Sequence, residues 1–303
     1  MLANMKLLIV LLTVFAAAHA WGPWKGGLSV RFGTNLFGIG SSNFIKVPRS
    51  ISEAKNARWV ETPRPAGPMS TLHLFCPSQN DRTLCALYDD TSYVAGLQVA
   101  LPIDSFADAI LDWDIQGFTR WNPPAQPNGV IRSYYTITEY FINEATLLKP
   151  VGDRINNRDV DKTLQEDYVW ITGFNKERIP ISVVGDNIAQ TATTHFTRQG
   201  CMPLMGLHYY YNMTEQSVCT SDQMLPWFPL VHTNQLVGMG FVIVGKLAET
   251  AITKDYFERP DRLAVKLIVP HGPECLYDIA DSPKLLTMHT YFIDAPWLLT
   301  CPA

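Results

Sequence analysis

The sequence predicts an α+β fold that is predominantly antiparallel β, made of two related halves that each contain a short helix and about four strands. Three observations support this prediction: β-branched and aromatic runs bounded by turn residues, a capping-box pattern, and similar segments that recur in the same order along the chain. An all-β sandwich is the alternative, because its strands have the same sequence pattern.

The helix signals are short and lie near the start of each half. Ser50 is followed three residues later by Glu53, with Pro48 just upstream, and this spacing is typical of a capping box at a helix start. In the second half, Asp186–Gln199 is a weaker helix candidate at the corresponding position. Each half is therefore expected to begin with a helix and to continue as strands.

Strands are predicted where apolar, β-branched or aromatic residues run between turn formers. Asp89–Ser92 is predicted to form a hairpin turn between two such runs, and His232–Asn234 takes the same place in the second half. The strands predicted in the first half are Thr71–Cys76, Leu84–Tyr88, Tyr93–Leu101 and Ser133–Ile142.

Three pairs of similar segments predict that the halves arose by internal duplication. Phe141 and Phe292 should then lie on the same relative face of equivalent strands, because side chains alternate along a strand with a period of two. The paired segments are Pro68–His73 with Pro203–His208, Val94–Val99 with Leu236–Phe241, and Tyr140–Leu148 with Tyr291–Leu299.

The first twenty residues have the pattern of a secretory signal peptide. Lys6 precedes an apolar run from Leu7 to Ala18, and Ala18 and Ala20 occupy the small-residue positions before a cleavage site. The run is too short for a membrane anchor, which needs roughly 20 apolar residues. A secreted chain starting at Trp21 is expected. Cleavage after Ala18 instead would leave a histidine at the N-terminus, which could chelate copper.

The predicted domain organisation follows from the signal peptide and the duplication. Residues 1–20 form the signal peptide, 21–150 the first β-rich half, 151–174 a polar connector and 175–303 the second β-rich half. The connector is assigned from its high local density of charged residues.

All six cysteines follow the signal peptide, which in an oxidising compartment favours three disulfides. Pairing between neighbours in sequence is the favoured arrangement, and zinc binding is not expected because the chain has no C-x-x-C pair. The favoured cysteine pairs are Cys76–Cys85, Cys201–Cys219 and Cys275–Cys301.

Asn212 begins an N-x-[ST] sequon and is a predicted glycosylation site.

Composition and motifs narrow the function classes. The 24 Lys and Arg against 28 Asp and Glu argue against a nucleic-acid partner or an anionic membrane surface. The G-x-S-x-G, H-E-x-x-H, Walker A and dinucleotide-binding motifs are all missing, so no catalytic residue, cofactor or metal site is assigned.

His73 and His208 occupy matching positions in the proposed repeat and form the candidate site between the halves. Superposing the halves should place His73 on His208 and Gly96 on Gly238. A high aromatic content suits recognition of a carbohydrate, a small hydrophobic molecule or a protein. The sequence therefore favours an extracellular binding or interaction protein without catalytic activity. The alternative is a secreted hydrolase or metal-dependent oxidase with its site between the halves.

Overall fold

The computed structural model describes residues 24–32, 40–189, 195–248 and 254–301, and the predicted signal peptide lies outside them. In this part of the chain the helices are short and the strands carry the architecture. The helices are α1 (Ile51–Asn56), α2 (Glu144–Leu147), α3 (Val151–Asn156), α4 (Arg262–Ile268) and α5 (Glu274–Asp281).

The strands run in chain order from β1 to β17. They are β1 (Gly26–Arg31), β2 (Phe44–Lys46), β3 (Val60–Glu61), β4 (His73–Cys76), β5 (Leu84–Tyr88), β6 (Val94–Pro102), β7 (Phe106–Ala107), β8 (Thr119–Trp121), β9 (Tyr134–Tyr140), β10 (Tyr168–Thr172), β11 (Arg178–Ser182), β12 (Phe196–Met202), β13 (Gly206–Tyr211), β14 (Trp227–His232), β15 (Gln235–Val244), β16 (Lys246–Leu247) and β17 (Leu285–Ile293).

Two antiparallel sheets contain nearly all of these strands. The first sheet has the order β11-β10-β9-β6-β5-β4-β3, with β8 also paired to β9. The second sheet has the order β12-β13-β14-β15-β17-β1-β2, and β7 pairs with β16 in a small ribbon. The prediction of a β-rich, antiparallel chain with few helices is confirmed.

The sheets do not follow the predicted boundaries at 150 and 174. The N-terminal hairpin β1–β2 lies in the second sheet, beside β17, although it belongs to the predicted first half. The hairpin β10–β11 lies in the first sheet, beside β9, and extends past residue 174. Within the predicted connector, Val151–Asn156 forms α3.

One apolar core fills the space between the two sheets. It contains Ile137 from β9, Phe141 directly after β9, and Met288 and Phe292 from β17. The rings of Phe141 and Phe292 are in edge contact, with centroids 5.2 Å apart. Because apolar side chains from both sheets pack here, this contact surface is a core and not an open cleft.

The central strands of the two sheets have the same register. Gly96 lies opposite Tyr140, and Gly238 lies opposite Tyr291. An irregularity in strand pairing follows at the next position in each sheet. The matching rows of facing residues are Leu74–Leu87–Gly96–Tyr140 in the first sheet and His208–Leu230–Gly238–Tyr291 in the second.

Both glycines in these rows are required by close backbone approach. A Cβ atom on Gly96 would lie 2.4 Å from the carbonyl oxygen of Glu139, and one on Gly238 would lie 2.2 Å from that of Thr290. These distances are shorter than any stable contact, so a side chain at either position would push the neighbouring strand away.

The local predictions fare differently in the two halves. The Ser50 hydroxyl accepts a hydrogen bond from the Glu53 amide at 3.1 Å, which confirms the cap of α1. The four strands predicted in the first half and both hairpin turns are present. The helix predicted over Asp186–Gln199 is wrong: residues 185–187 form a single 3₁₀ turn, and Phe196 begins β12. Pairing with β13 determines the conformation there, and it overrides the weak helix propensity.

Three disulfides form, and two of them differ from the favoured pairing. Cys76–Cys85 is as predicted, whereas the other bonds are Cys201–Cys301 and Cys219–Cys275. The last residues of the chain return to the β12–β13 turn, where the Leu204 amide donates to the carbonyl of Leu299 at 2.9 Å. Tertiary structure therefore sets two of the three pairings.

No helix in the described residues is long and apolar enough to cross a membrane.

Candidate functional site

The structure does not bring the predicted pair His73 and His208 together. His73 lies in the first sheet, exposed, with Nδ1 2.8 Å from a carboxylate oxygen of Glu61. His208 lies in the second sheet, fully buried, with Nδ1 3.2 Å from the carbonyl oxygen of Gly200. In the rows of facing residues, Leu74 and not His73 matches His208. The predicted superposition is therefore wrong by one residue, which reverses the face on which a side chain lies.

His208 belongs to a buried polar cluster on the covered face of the second sheet, the side against which α4 and α5 pack. Glu258 lies between Arg31 and His289, with carboxylate oxygens 3.4 Å from Arg31 Nε and 3.4 Å from His289 Nδ1. The His289 ring contacts that of His208, with centroids 5.8 Å apart.

Burial controls the ionisation of this cluster. It raises the pKa of Glu258 to about 7, against the opposing effect of the Arg31 charge. It lowers the pKa of His208 to about 4 and that of His289 well below the usual value, so both imidazoles are neutral at pH 7. Because the side chains of Arg31, Glu258 and His289 are at most 9% exposed, the cluster is placed to support the fold and not to meet a ligand.

The first sheet has one face against the shared core and one face turned away from it. The face turned away has an accessible cavity of about 330 Å³, here called the outer cleft. One wall is the loop from Arg64 to Pro68, and the floor is the strand segment from Thr136 to Tyr140. The remaining lining residues are Gly117, Thr119, Thr172, Lys176 and Arg178.

The cleft lies beside β9, where its pairing changes from β8 to β10. The first part of β9 pairs with β8, Thr136 lying opposite Thr119, and its last residues pair with β10. Between these pairings two hydroxyls bond to backbone: Thr136 donates to the Thr119 carbonyl at 3.1 Å, and Thr172 donates to the Thr138 carbonyl at 2.8 Å. These bonds fix the positions of the hydroxyls along the floor.

The guanidinium of Arg178 contacts two aromatic rings beside the cleft. Its guanidinium carbon lies 5.2 Å from the ring centre of Tyr140 and 5.3 Å from that of Trp170, within the range of cation–π contact. Nη1 bonds to the carboxylate of Glu144. Nε and Nη2 are buried and have no hydrogen-bond partner among the described residues.

Arg64 reaches the same cleft from the loop. It donates to the carbonyls of Pro68, at 3.0 Å, and Met69, and its buried Nε has no partner in the described part of the chain. Burial raises the pKa of the Tyr140 hydroxyl, while Arg64, Thr138 and Arg178 act in the opposite direction. Tyr140 is therefore a neutral phenol between two guanidinium groups.

Two other cavities are less suited to a ligand. A cavity of about 220 Å³ beneath α3 contains Arg154, whose charge is neutralised by Asp89 and Asp90. A groove of about 630 Å³ beside the β1–β2 hairpin is lined by Ser41, close to residues 33–39, which lie outside the described residues. The outer cleft alone among these three has buried N–H groups left without partners in the described structure.

Sequence reasoning missed the cationic residues of the outer cleft. The alternation Thr136-x-Thr138-x-Tyr140 does place three polar side chains on one strand face, and this was the available signal. The two arginines come from a loop and from a strand far along the chain, so their meeting depends on tertiary structure.

The remaining sequence predictions concern modification and metal binding. Asn212 lies exposed in a turn after β13, where its backbone N–H donates to the His195 carbonyl. Within the described ranges, no group of three or more His, Cys, Asp or Glu side chains is arranged to hold a metal ion. Comparison of the chain with protein-family models, with curated proteins and with solved structures gives no match.

Proposed function

We propose that the protein is a secreted, disulfide-stabilised extracellular binding protein without catalytic activity, and that its ligand occupies the outer cleft. The signal-peptide pattern and the three disulfides support the compartment. The observation that carries the binding assignment is the pair of N–H groups on Arg178 that have no partner among the described residues, beside the rings of Tyr140 and Trp170 at a cavity of ligand size.

The two sheets, on this proposal, descend from one ancestral unit. The matching rows of facing residues support a common origin, and so do the two glycines with equivalent close contacts. The contact between the rings of Phe141 and Phe292, at matching positions of β9 and β17, is a further argument. After such a duplication one copy can keep an open face for binding while the other is covered.

The location of the ligand differs from that expected from the sequence. A site between the halves needs an opening there, and the space between the sheets is occupied by the shared core. The outer cleft provides both an opening and polar groups, so it replaces the pair His73 and His208 as the candidate. Asn212 remains the proposed glycosylation site.

The test uses a variant that fills the cleft. A Cβ on Gly67 would lie 4.0 Å from the Tyr140 hydroxyl, so Gly67→Leu places a branched side chain in the cleft without overlapping backbone. Gly152→Leu is the matched control, because a Cβ there meets nothing within 4 Å. Native mass spectrometry of the proteins secreted into culture medium should show a non-covalent ligand on the wild-type chain and on Gly152→Leu.

On Gly67→Leu the same ligand should be absent, while glycan and disulfide masses are unchanged. Retention of the ligand by Gly67→Leu would show that it binds elsewhere. Conversion of the ligand to a new product during incubation with the wild-type protein would contradict the absence of catalysis.

A further inference from the structure

We infer that the ligand of the outer cleft carries an oxyanion group, a carboxylate, sulfate or phosphate, and that Arg178 binds it. This inference rests on the proposed function, since it names the ligand class of the same cleft. Three features of the cleft support it: the sign of its charge, the edge of the guanidinium that is left unpaired, and the second donor group opposite.

The charge of the cleft is positive. Arg64, Lys176 and Arg178 line it, and no Asp or Glu is among the described residues that line it. Lys176 and Arg178 have carboxylate neighbours at the rim, but Asp114 and Glu144 are 76% and 56% exposed and therefore strongly screened by water. An anion inside the cleft would meet a less screened positive field.

The unpaired edge of Arg178 has the geometry of an oxyanion receptor. Nε and Nη2 donate in parallel from one edge of the planar guanidinium, which matches the two oxygens of a carboxylate, sulfate or phosphate. Contacts with the rings of Tyr140 and Trp170 and the ion pair with Glu144 restrict the guanidinium, so less side-chain freedom remains to be lost on binding. Glu144 bonds to Nη1, so its ion pair does not use this buried edge.

Donors from the opposite wall complete the arrangement. Arg64 presents a buried Nε without a partner in the described structure, and the Tyr140 hydroxyl lies near both arginines. Burying unpaired donors is unfavourable, because they lose their hydrogen bonds to water and gain none in exchange. An oxyanion at Arg178 would satisfy its Nε and Nη2 at once. Because these N–H groups are shielded from water in the free protein, the ligand must displace neighbouring atoms to reach them.

The experiment measures binding of defined probes to the intact secreted protein by isothermal titration calorimetry. The probes are sodium benzoate, inorganic sulfate and inorganic phosphate, with benzyl alcohol as the neutral counterpart of benzoate. At least one oxyanion should bind the wild-type protein, more weakly as sodium chloride is raised, and benzyl alcohol should not. The strongest of the three identifies the type of oxyanion.

Three substitutions locate the site. Arg178→Gln should weaken binding of that oxyanion about tenfold or more, as loss of a charge-assisted bidentate contact predicts. Arg178→Lys keeps the charge without the parallel donors and should give a smaller loss. Arg132→Gln is the matched control, because Arg132 pairs with Asp104 outside the cleft and its side chain is 22% exposed, close to the 17% of Arg178. It should leave the affinity unchanged.

Several results would overturn the inference. These are equal binding of benzoate and benzyl alcohol, equal weakening by Arg178→Gln and Arg132→Gln, or no binding of any oxyanion to the wild-type protein. Recovery of a neutral ligand that Gly67→Leu excludes would also overturn it, while leaving the proposed binding function intact. Circular dichroism spectra matching that of the wild-type protein establish that each variant is folded.

Discussion

The outer faces of the two sheets differ in how their arginine side chains are paired and buried. On the second sheet, α4 and α5 cover the face, and Arg31 lies buried against Glu258 and His289. On the first sheet, Arg178 lies in an accessible cleft and, among the described residues, has one nitrogen paired, to the exposed Glu144. Neutralisation is required where a face is covered, whereas an open face can keep donors for a ligand. On our proposal, the covered face serves stability and the open face serves binding.

The largest predicted effect concerns the carboxylates beside the two arginines. Glu258→Gln leaves the buried Arg31 without its carboxylate and should lower the free energy of unfolding by about 3–5 kcal/mol. Glu144→Gln removes an exposed partner and should lower it by about 1 kcal/mol or less. Urea unfolding at pH 8, where Glu258 is ionised, measures both. Equal losses would remove the distinction between the two faces.

The second prediction tests the matching cores of the sheets. Gly96→Ala and Gly238→Ala each force a methyl group against the neighbouring strand, and each should lower the free energy of unfolding by about 1–3 kcal/mol or more. Equivalent environments predict losses that agree within about 0.5 kcal/mol. A large loss at one position with none at the other would contradict equivalence of the two sheets.

The smallest predicted effect comes from a position where the sheets differ. Glu139 of β9 matches Thr290 of β17, and the Glu139 carboxyl lies 3.2 Å from the Thr290 hydroxyl inside the shared core. The same hydroxyl lies 2.9 Å from the Met239 carbonyl. A hydroxyl has one proton, so if Thr290 donates to Met239, a protonated Glu139 donates to Thr290. Burial raises the pKa of Glu139 to about 8, which keeps that proton in place at neutral pH.

This raised pKa predicts that stability falls with increasing pH. The folded protein keeps the Glu139 proton up to about pH 8, whereas the unfolded chain loses it above about 4.5. The stabilisation is complete below pH 4.5 and disappears as pH approaches 8, with a slope of up to about 1.4 kcal/mol per pH unit. Glu258 acts in the same direction with a pKa of about 7, so between pH 7 and 8 its contribution is fading and Glu139 contributes the larger part of the change.

Glu139→Gln is the matched variant, because its amide can donate to Thr290 without titrating. Its urea midpoint should change less than that of the wild-type protein between pH 7 and 8. His208 does not interfere, since its pKa is about 4 and it is neutral throughout this interval. Parallel pH profiles for the two proteins would exclude a proton on Glu139.

Local features were predictable where local physics determines them. The cap at Ser50, the strands of the first half and the pair Cys76–Cys85 depend on residues close in sequence. The matching of Gly96 with Gly238 was also readable, because a glycine in an apolar strand indicates a close approach. The sequence comparison aligned His73 with His208, whereas strand pairing aligns Leu74 with His208. Similarity between short segments does not determine which residues face each other across strands.

The outer cleft was not predictable from the sequence. Its donors come from the loop at Arg64 and from β11 at Arg178, and they meet because β8 and β10 diverge beside β9. The disulfides of Cys201 and Cys219 also depend on contacts between distant segments, since their partners are Cys301, which follows β17, and Cys275, which lies in α5. Contacts between distant segments are thus the part that sequence reasoning lacked.

The most direct test of the division between the two faces is to measure urea midpoint and oxyanion affinity on the same preparations of Arg178→Gln and Glu258→Gln. Arg178→Gln should lose binding about tenfold or more with a nearly unchanged midpoint. Glu258→Gln should lose stability while its folded fraction binds with wild-type affinity. Loss of binding in Glu258→Gln together with wild-type binding in Arg178→Gln would contradict the assignment of binding to the first sheet.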